Sequence, residues 1–349
     1  MPSPSSIFSF DTLQVHGSVP RGVLTAALLL GLVDFGLSRA DWPYRKYPSS
    51  YVGAFLAQEE TLRRDPIPPR IIILGNSRSK HGLLAQDMEQ RLGLPAGSVL
   101  NLSIESGDHY DNYLFQRRNR QLMKSARLLI YGVDAYEWNA SFPLSERFPH
   151  FAGFADRLNL DPSIPSLFGW FFRTEEKPAL FHAMFRRING ALSAAIHLVQ
   201  PADANDPPTP EATTTPAKLG PVNGRIAFWY RNFRLAPNRQ ELLQRLIATA
   251  QEDGQQVVVL QLPFRDEYMN ELLRNHASDY QAYEQSIRSL DGVQVSLFEA
   301  ASAAGLEPTD FQDWDHLNTV GAKKFTRVWC QWLETHEPQT MAALASVAR

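Results

Sequence analysis

The chain has 349 residues, 44% of them apolar and 20% charged, with a formal net charge of −3. That length fits one large domain with an insertion, or two small ones. The near-neutral balance gives no reason to expect nucleic acid as a partner. Cys330 is the single cysteine, which excludes an intramolecular disulfide, and the nine histidines form no H-x-x-x-H pair or cysteine cluster of the metal-binding kind. No metal and no cofactor is expected.

Residues 1–19 are rich in Ser and Pro and are expected to be disordered. Within 20–38, Val23 to Val33 is an apolar and small-residue run broken only by Thr25. It is shorter than the roughly 20 residues that a spanning helix needs. Ser38-Arg39-Ala40 also puts small residues where a signal peptidase would cut. Three readings stand: an uncleaved single-span anchor, a cleaved signal, or a buried helix. Residues 39–69 read as a connector with a short helix from Val52 to Arg64, stopped by Pro66-Ile67-Pro68-Pro69.

Arg70 to Leu74 is a continuous β-branched run, as a parallel strand buried on both faces requires. A helix is expected from Leu83 to Leu92, ended by Gly93. A strand follows from Ser98 to Leu102, a helix from His109 to Lys124, and a strand from Leu128 to Tyr131 that closes on Gly132-Val133-Asp134. Residues 135–221 interrupt the pattern. They hold aromatics, an expected helix from Pro178 to Val199, and a Pro/Ala/Thr-rich tract at 201–216 expected to be a flexible excursion. The alternation resumes with a helix from Asn238 to Glu252, a strand from Val257 to Leu262, a helix from Glu267 to Leu290, a strand from Val293 to Leu297 and a closing helix from Thr319 to Glu334. Strands alternating with helices predict a three-layer α/β/α domain with a doubly wound parallel sheet, formed by 70–134 and 222–340 and carrying a mostly helical insertion.

Two short motifs carry the chemistry. Gly75-Asn76-Ser77-Arg78 follows the first strand directly, where a glycine turn presents a serine at a helix start whose N–H groups can face an oxyanion. An ordinary capped βα turn has the same composition. Asp313-Trp314-Asp315-His316 stands before the last helix. Asp313 and His316, three apart, share one side of a turn, so the carboxylate can orient the imidazole as general base. Asp315, adjacent to His316, is expected to point away.

In this order and setting the two motifs resemble those of the SGNH (GDSL-like) hydrolase superfamily. Val99 to Asp108 is similar to that family's second block, and Gly132-Val133-Asp134 occupies the place of its third, normally Gly-x-Asn. The resemblance implies Ser77 as nucleophile, His316 as base and Asp313 as its orienting acid, with an oxyanion hole from the N–H groups of Ser77 and Gly107. Asn76, where the family usually has aspartate, is more like the membrane-anchored SGNH-like proteins that O-acetylate bacterial cell-surface polysaccharides. That likeness implies an esterase or O-acyltransferase acting on an acylated glycan or small acyl ester. It also implies an extracytoplasmic domain held at the inner membrane, or secreted after cleavage, and a membrane-bound acyltransferase partner. Asp134 replaces the oxyanion asparagine and would repel a developing oxyanion if it faced one. An inactive SGNH-like assembly or docking protein of polymer export is therefore the alternative. A flavodoxin-like phosphate binder using Gly75 to Ser79 is a further rival.

Asn76, Arg78 and Asp134 are candidate substrate-binding residues. Arg78 is equally readable as paired internally with Asp134 or Glu137. Trp138, Trp170, Phe171, Phe172, Trp229 and Tyr230 could stack on sugar rings or fill the insertion's own core.

Overall fold

A computed structural model describes residues 22–26, 28–29, 32, 40–48, 50–145, 147–167 and 220–346. The first long helix, α1, spans Tyr51–Arg64. Then follow β1 (Ile71–Leu74), α2 (Ser77–Gly82), α3 (Ala85–Leu92), β2 (Val99–Asn101), α4 (His109–Met123) and β3 (Leu128–Val133). Beyond the insertion come α5 (Val222–Trp229), α6 (Pro237–Glu252), β4 (Gln256–Gln261), α7 (Asp266–Arg288), β5 (Gln294–Leu297), α8 (Thr319–His336) and α9 (Pro338–Ser346).

All five strands are parallel, in the order β2-β1-β3-β4-β5. The chain starts in the interior of the sheet, goes one way to β2, and returns past β1 to β3. The reversal puts the topological switch point between β1 and β3, and sheets of this kind place their sites at the C-terminal strand ends there.

Period-two side-chain alternation sorts the strand residues into two cores. Ile72, Leu74, Leu129, Tyr131, Val257 and Val259 pack with α1, α4, α6 and α7, through residues such as Phe55, Phe115, Leu246 and Leu272. Ile71, Ile73, Leu128, Ile130, Val258 and Leu260 pack with α3 and α8, through Met88, Phe325 and Trp329. The result is the expected three-layer α/β/α arrangement, doubly wound.

Two expectations need correction. Residues 39–69 are not simply a connector. Phe55 and Leu56 of α1 belong to the first core, and Arg118 of α4 donates to the fully buried Glu59 at 2.6 Å. A helix that buries its apolar stripe against the sheet layer is part of the domain. The helix after the serine also begins sooner than predicted. Asn76 caps α2 by accepting from the Arg78 N–H, and extended backbone at Leu83 and Leu84 separates α2 from α3. Pro237 sits at the start of α6, where its missing N–H costs nothing.

Among the described residues no helix is long and apolar enough to cross a membrane. The described residues between 22 and 32 are helical, and Val23, Leu24, Leu28, Leu29 and Leu32 are more than half exposed. The rest of the 20–38 segment, the expected 178–199 helix, the 201–216 tract, Trp170, Phe171 and Phe172 lie outside the described residues.

Candidate active site

The turn after β1 is shaped by glycine. Gly75 has φ 145°, and a Cβ there would stand 2.6 Å from Ser79 Oγ and 2.8 Å from the Gly132 carbonyl oxygen. A side chain is thus excluded by both conformation and space. Asn112 accepts from the Gly75 N–H at 3.1 Å, and Ser77 becomes the first residue of α2. Its N–H, with no helical acceptor, has no hydrogen-bond partner among the described residues. It is free to face an oxyanion.

Ser77 Oγ lies 2.8 Å from His316 Nε2. The other ring nitrogen, Nδ1, stands 2.9 Å from Asp313 Oδ2. Asp313 also accepts from the backbone N–H groups of Asp315 and His316 at 3.0 and 2.7 Å. The loop is thereby folded around its own carboxylate. The three residues inferred for nucleophile, base and orienting acid are brought together in hydrogen-bond sequence, although the chain separates Ser77 from His316 by 239 positions.

Asp315 does not point away, as expected of it. Its Oδ1 is 3.2 Å from His316 Nδ1, because the turn that lets Asp313 cap the loop folds the intervening carboxylate back under the ring. Burial alone would lower the His316 pKa, but hydrogen bonds to Asp313 and Asp315 outweigh it and raise the imidazole to about 9. The ring is therefore an imidazolium at neutral pH and becomes a base as pH approaches that value. Burial would raise Asp315, yet His316, Arg225 and Arg78 hold it well below the ordinary carboxylate range.

The substrate-binding roles expected for Asn76, Arg78 and Asp134 do not fit their positions. All three are buried, at 1%, 4% and 7% exposure. Asn76 Nδ2 donates to Glu137 Oε1 at 2.8 Å. Arg78 Nη1 donates to Asp134 Oδ2 at 2.9 Å, Nε to the Asp315 carbonyl at 2.9 Å, and Nη2 to the carbonyls of Leu262 and Pro263, the latter at 3.0 Å. The guanidinium also lies over the Phe264 ring at 3.6 Å. Burial works against its charge, and the carboxylates of Asp134 and Asp315 overcome that and keep it protonated. Of the two internal pairings open for Arg78, Asp134 is the one made. Asp134 is thus drawn beneath the serine turn and paired, rather than set against an oxyanion.

Gly107 also departs from its expected role. Its N–H donates to the Ile104 carbonyl at 2.9 Å, closing a turn in which Ser106 takes a left-handed φ of 52°. Ser77 N–H is then the uncommitted member of the inferred oxyanion pair. Ser79 and Ser103 are fully buried and closed to substrate.

Glu137 and Arg225 were not singled out as site residues. Glu137 is fully buried and also meets His109 Nδ1 at 2.9 Å and the Tyr131 hydroxyl at 3.4 Å. Its position three residues beyond Gly132-Val133-Asp134 was the available signal. The aromatic alternatives divide: Trp138 and Tyr230 are buried core, whereas Trp229 is partly buried and packs on Tyr136 with ring centroids 4.4 Å apart. Asp313, Asp315 and His316 are the described residues whose possible ligand atoms cluster, within 4.8 Å of one another. These same groups form the Ser77–His316–Asp313 hydrogen-bond series and its Asp315 contact.

No family model matches the chain, and no curated protein matches it significantly. Among solved structures it is similar to one described as "a putative platelet activating factor from Streptococcus pneumonia", at 10% identity and a TM-score of 0.39, over 88% of this chain and 99% of that one.

Proposed function

We propose that this chain is an SGNH-type serine esterase or O-acyltransferase. The observation that carries the reading is the continuous relay from Ser77 Oγ through His316 to Asp313, at 2.8 and 2.9 Å. With His316 neutral, Nε2 takes the hydroxyl proton as Ser77 Oγ attacks the ester carbonyl carbon. The Ser77 N–H stabilises the oxyanion of the tetrahedral intermediate. Collapse breaks the acyl–oxygen bond, and the leaving alcohol takes the proton back from His316. Water or a glycan hydroxyl then attacks the acyl-serine by the reverse sequence, giving hydrolysis or transfer. The substrate class we propose is an O-acyl, foremost O-acetyl, ester of an exopolysaccharide or envelope glycan, handled outside the cytoplasm beside a membrane-bound acyltransferase. Support for that finer reading is the resemblance of the Asn76-Ser77 turn and the apolar 23–33 run.

A docking protein without turnover is the second reading. The commitment of the Gly107 N–H to Ile104 favours it, since it leaves the oxyanion hole short of a donor. Hydrolysis of a small chromogenic acetyl ester by the wild type and by Ser77→Ala separates the two. Turnover that falls about 10³-fold or more in the variant supports the enzyme. Equal, background-level rates in both leave the docking reading.

A further inference from the structure

The histidine loop is fastened from outside as well as from within. Helix α5 brings the chain back from the insertion, and Arg225 on it grips Asp315 with two nitrogens. Nη2 lies 2.9 Å from Oδ1 and 3.1 Å from Oδ2, and Nε lies 3.3 Å from Oδ2. The guanidinium sits 5.2 Å over the Trp229 ring. One residue along the loop, the Trp314 indole N–H donates to the Gly220 carbonyl at 3.0 Å. Residues 220–229 are thus tied to the loop by one charged and one neutral contact.

Asp315 Oδ1 is shared. It faces both Arg225 Nη2 at 2.9 Å and His316 Nδ1 at 3.2 Å, while Asp313 Oδ2 is nearer the same Nδ1, at 2.9 Å. A carboxylate oxygen already engaged by a guanidinium gives less to a second donor. We propose that Arg225 is a positioning residue: by drawing the Asp315 carboxylate toward α5, it leaves Asp313 as the main partner of His316 and lets the imidazole release its proton. The seating of residues 220–229 then governs whether the base is competent. The consequence for activity rests on the serine-hydrolase reading, whereas the effect on imidazole titration does not.

The groups facing this pair come from several elements. His316 meets Asp313 and Asp315 of its own loop, and Ser77 and His81 of α2, with the His81 ring centroid 6.1 Å away. His81 is itself bonded to Glu105 at 2.6 Å. Asp315 feels Arg225 and Arg78, and interacts electrostatically with Asp134 and Tyr268. Of these, Arg225 is the one carried by the segment adjoining the insertion. It is one-third exposed, so it can move without unpacking the core.

The test is an NMR titration of the His316 imidazole in the full chain, its signal assigned by disappearance in His316→Asn. Arg225→Gln removes the charge and the fork, and should raise the midpoint by about half to one pH unit. Arg225→Lys should fall between Gln and wild type, because it keeps the charge without the bidentate grip. In an Asp315→Asn background, Arg225→Gln should move the midpoint much less. The pH profile of fluorophosphonate labelling should shift in the same direction as the titration. An Arg225→Gln midpoint at or below the wild-type value overturns the proposal, even if labelling falls, since a loosened helix alone lowers rate without that shift. If Arg225→Gln does not fold, an Arg225→Lys midpoint equal to wild type overturns it. A wild type that never labels sinks the serine-hydrolase reading, while the imidazole titration still decides the role of Arg225.

Discussion

The serine turn and the histidine loop meet at 2.8 Å, yet they are built on opposite plans. Beneath the serine, the supporting side chains are buried and reach other parts of the chain: Asn76 to Glu137, and Arg78 to Asp134 and the carbonyls that follow β4. Around the histidine, the carboxylates that hold the imidazole belong to its own loop. Asp313 caps its own loop and remains 36% exposed, and Arg225 is the charged side chain that reaches in from α5. The serine's position is therefore part of the fold's own stability. The orientation of the histidine ring is set by a short loop that can be altered while the fold persists.

Substitutions should divide along that line. The largest stability effect is expected from Arg78→Ala, which leaves Asp134 buried without its partner and three backbone carbonyls without a donor. Breaking a buried pair in this way costs about 3–5 kcal/mol, read as a drop in the denaturation midpoint. A loss under about 1 kcal/mol would break the comparison. Glu137→Ala should come next, at about 1–3 kcal/mol, because it leaves the buried Asn76 amide without its carboxylate acceptor and takes one partner from His109 and Tyr131, which keep each other. Asp313→Ala should cost no more than about 1 kcal/mol, since its carboxylate is partly solvated. Its catalytic loss should nevertheless be about 10³-fold or more, because the imidazole loses its orienting partner. An Asp313→Ala protein that unfolds, or that turns over normally, would show that the loop is not the replaceable part.

The pH dependence sharpens the same contrast. His316 has a folded pKa of about 9 against an ordinary 6.5. A raised pKa means the folded state binds the proton more tightly. The stabilisation is therefore fully present below about pH 6.5 and is lost as pH rises through about 9. The melting-temperature gap between wild type and Asp313→Ala should accordingly narrow across that window. A gap constant with pH would mean that Asp313 acts on stability without the imidazole.

Much of this was legible from the chain itself. Ile71 to Leu74, Leu128 to Tyr131 and Val257 to Leu260 have continuous apolar runs because both sheet faces are covered. Strand and helix alternation then brings the ends of β1 and β3 together. Ser77, Asp313 and His316 are legible because a serine after a glycine turn and an Asp-x-x-His pair before the last helix together resemble the SGNH pattern, although each motif alone is a weak signal. What stayed hidden was direction. Nothing local tells Arg78 to turn inward, since its acceptors lie 56 and 184 positions away. Asp315 was expected to point away on spacing alone, but the loop closes on Asp313 and brings both carboxylates under one ring. Arg225 stands 90 positions from Asp315, in a helix whose apolar face is too short to announce itself.

The central claim is that Ser77 is a nucleophile activated by His316, and covalent labelling tests it most directly. The full chain is treated with a fluorophosphonate from neutrality to about pH 9, and the adduct is located by peptide mass spectrometry. One adduct is expected, on Ser77, absent from Ser77→Ala, forming faster as pH rises toward the His316 pKa of about 9. An adduct on another residue, or equal labelling of wild type and Ser77→Ala, would contradict it.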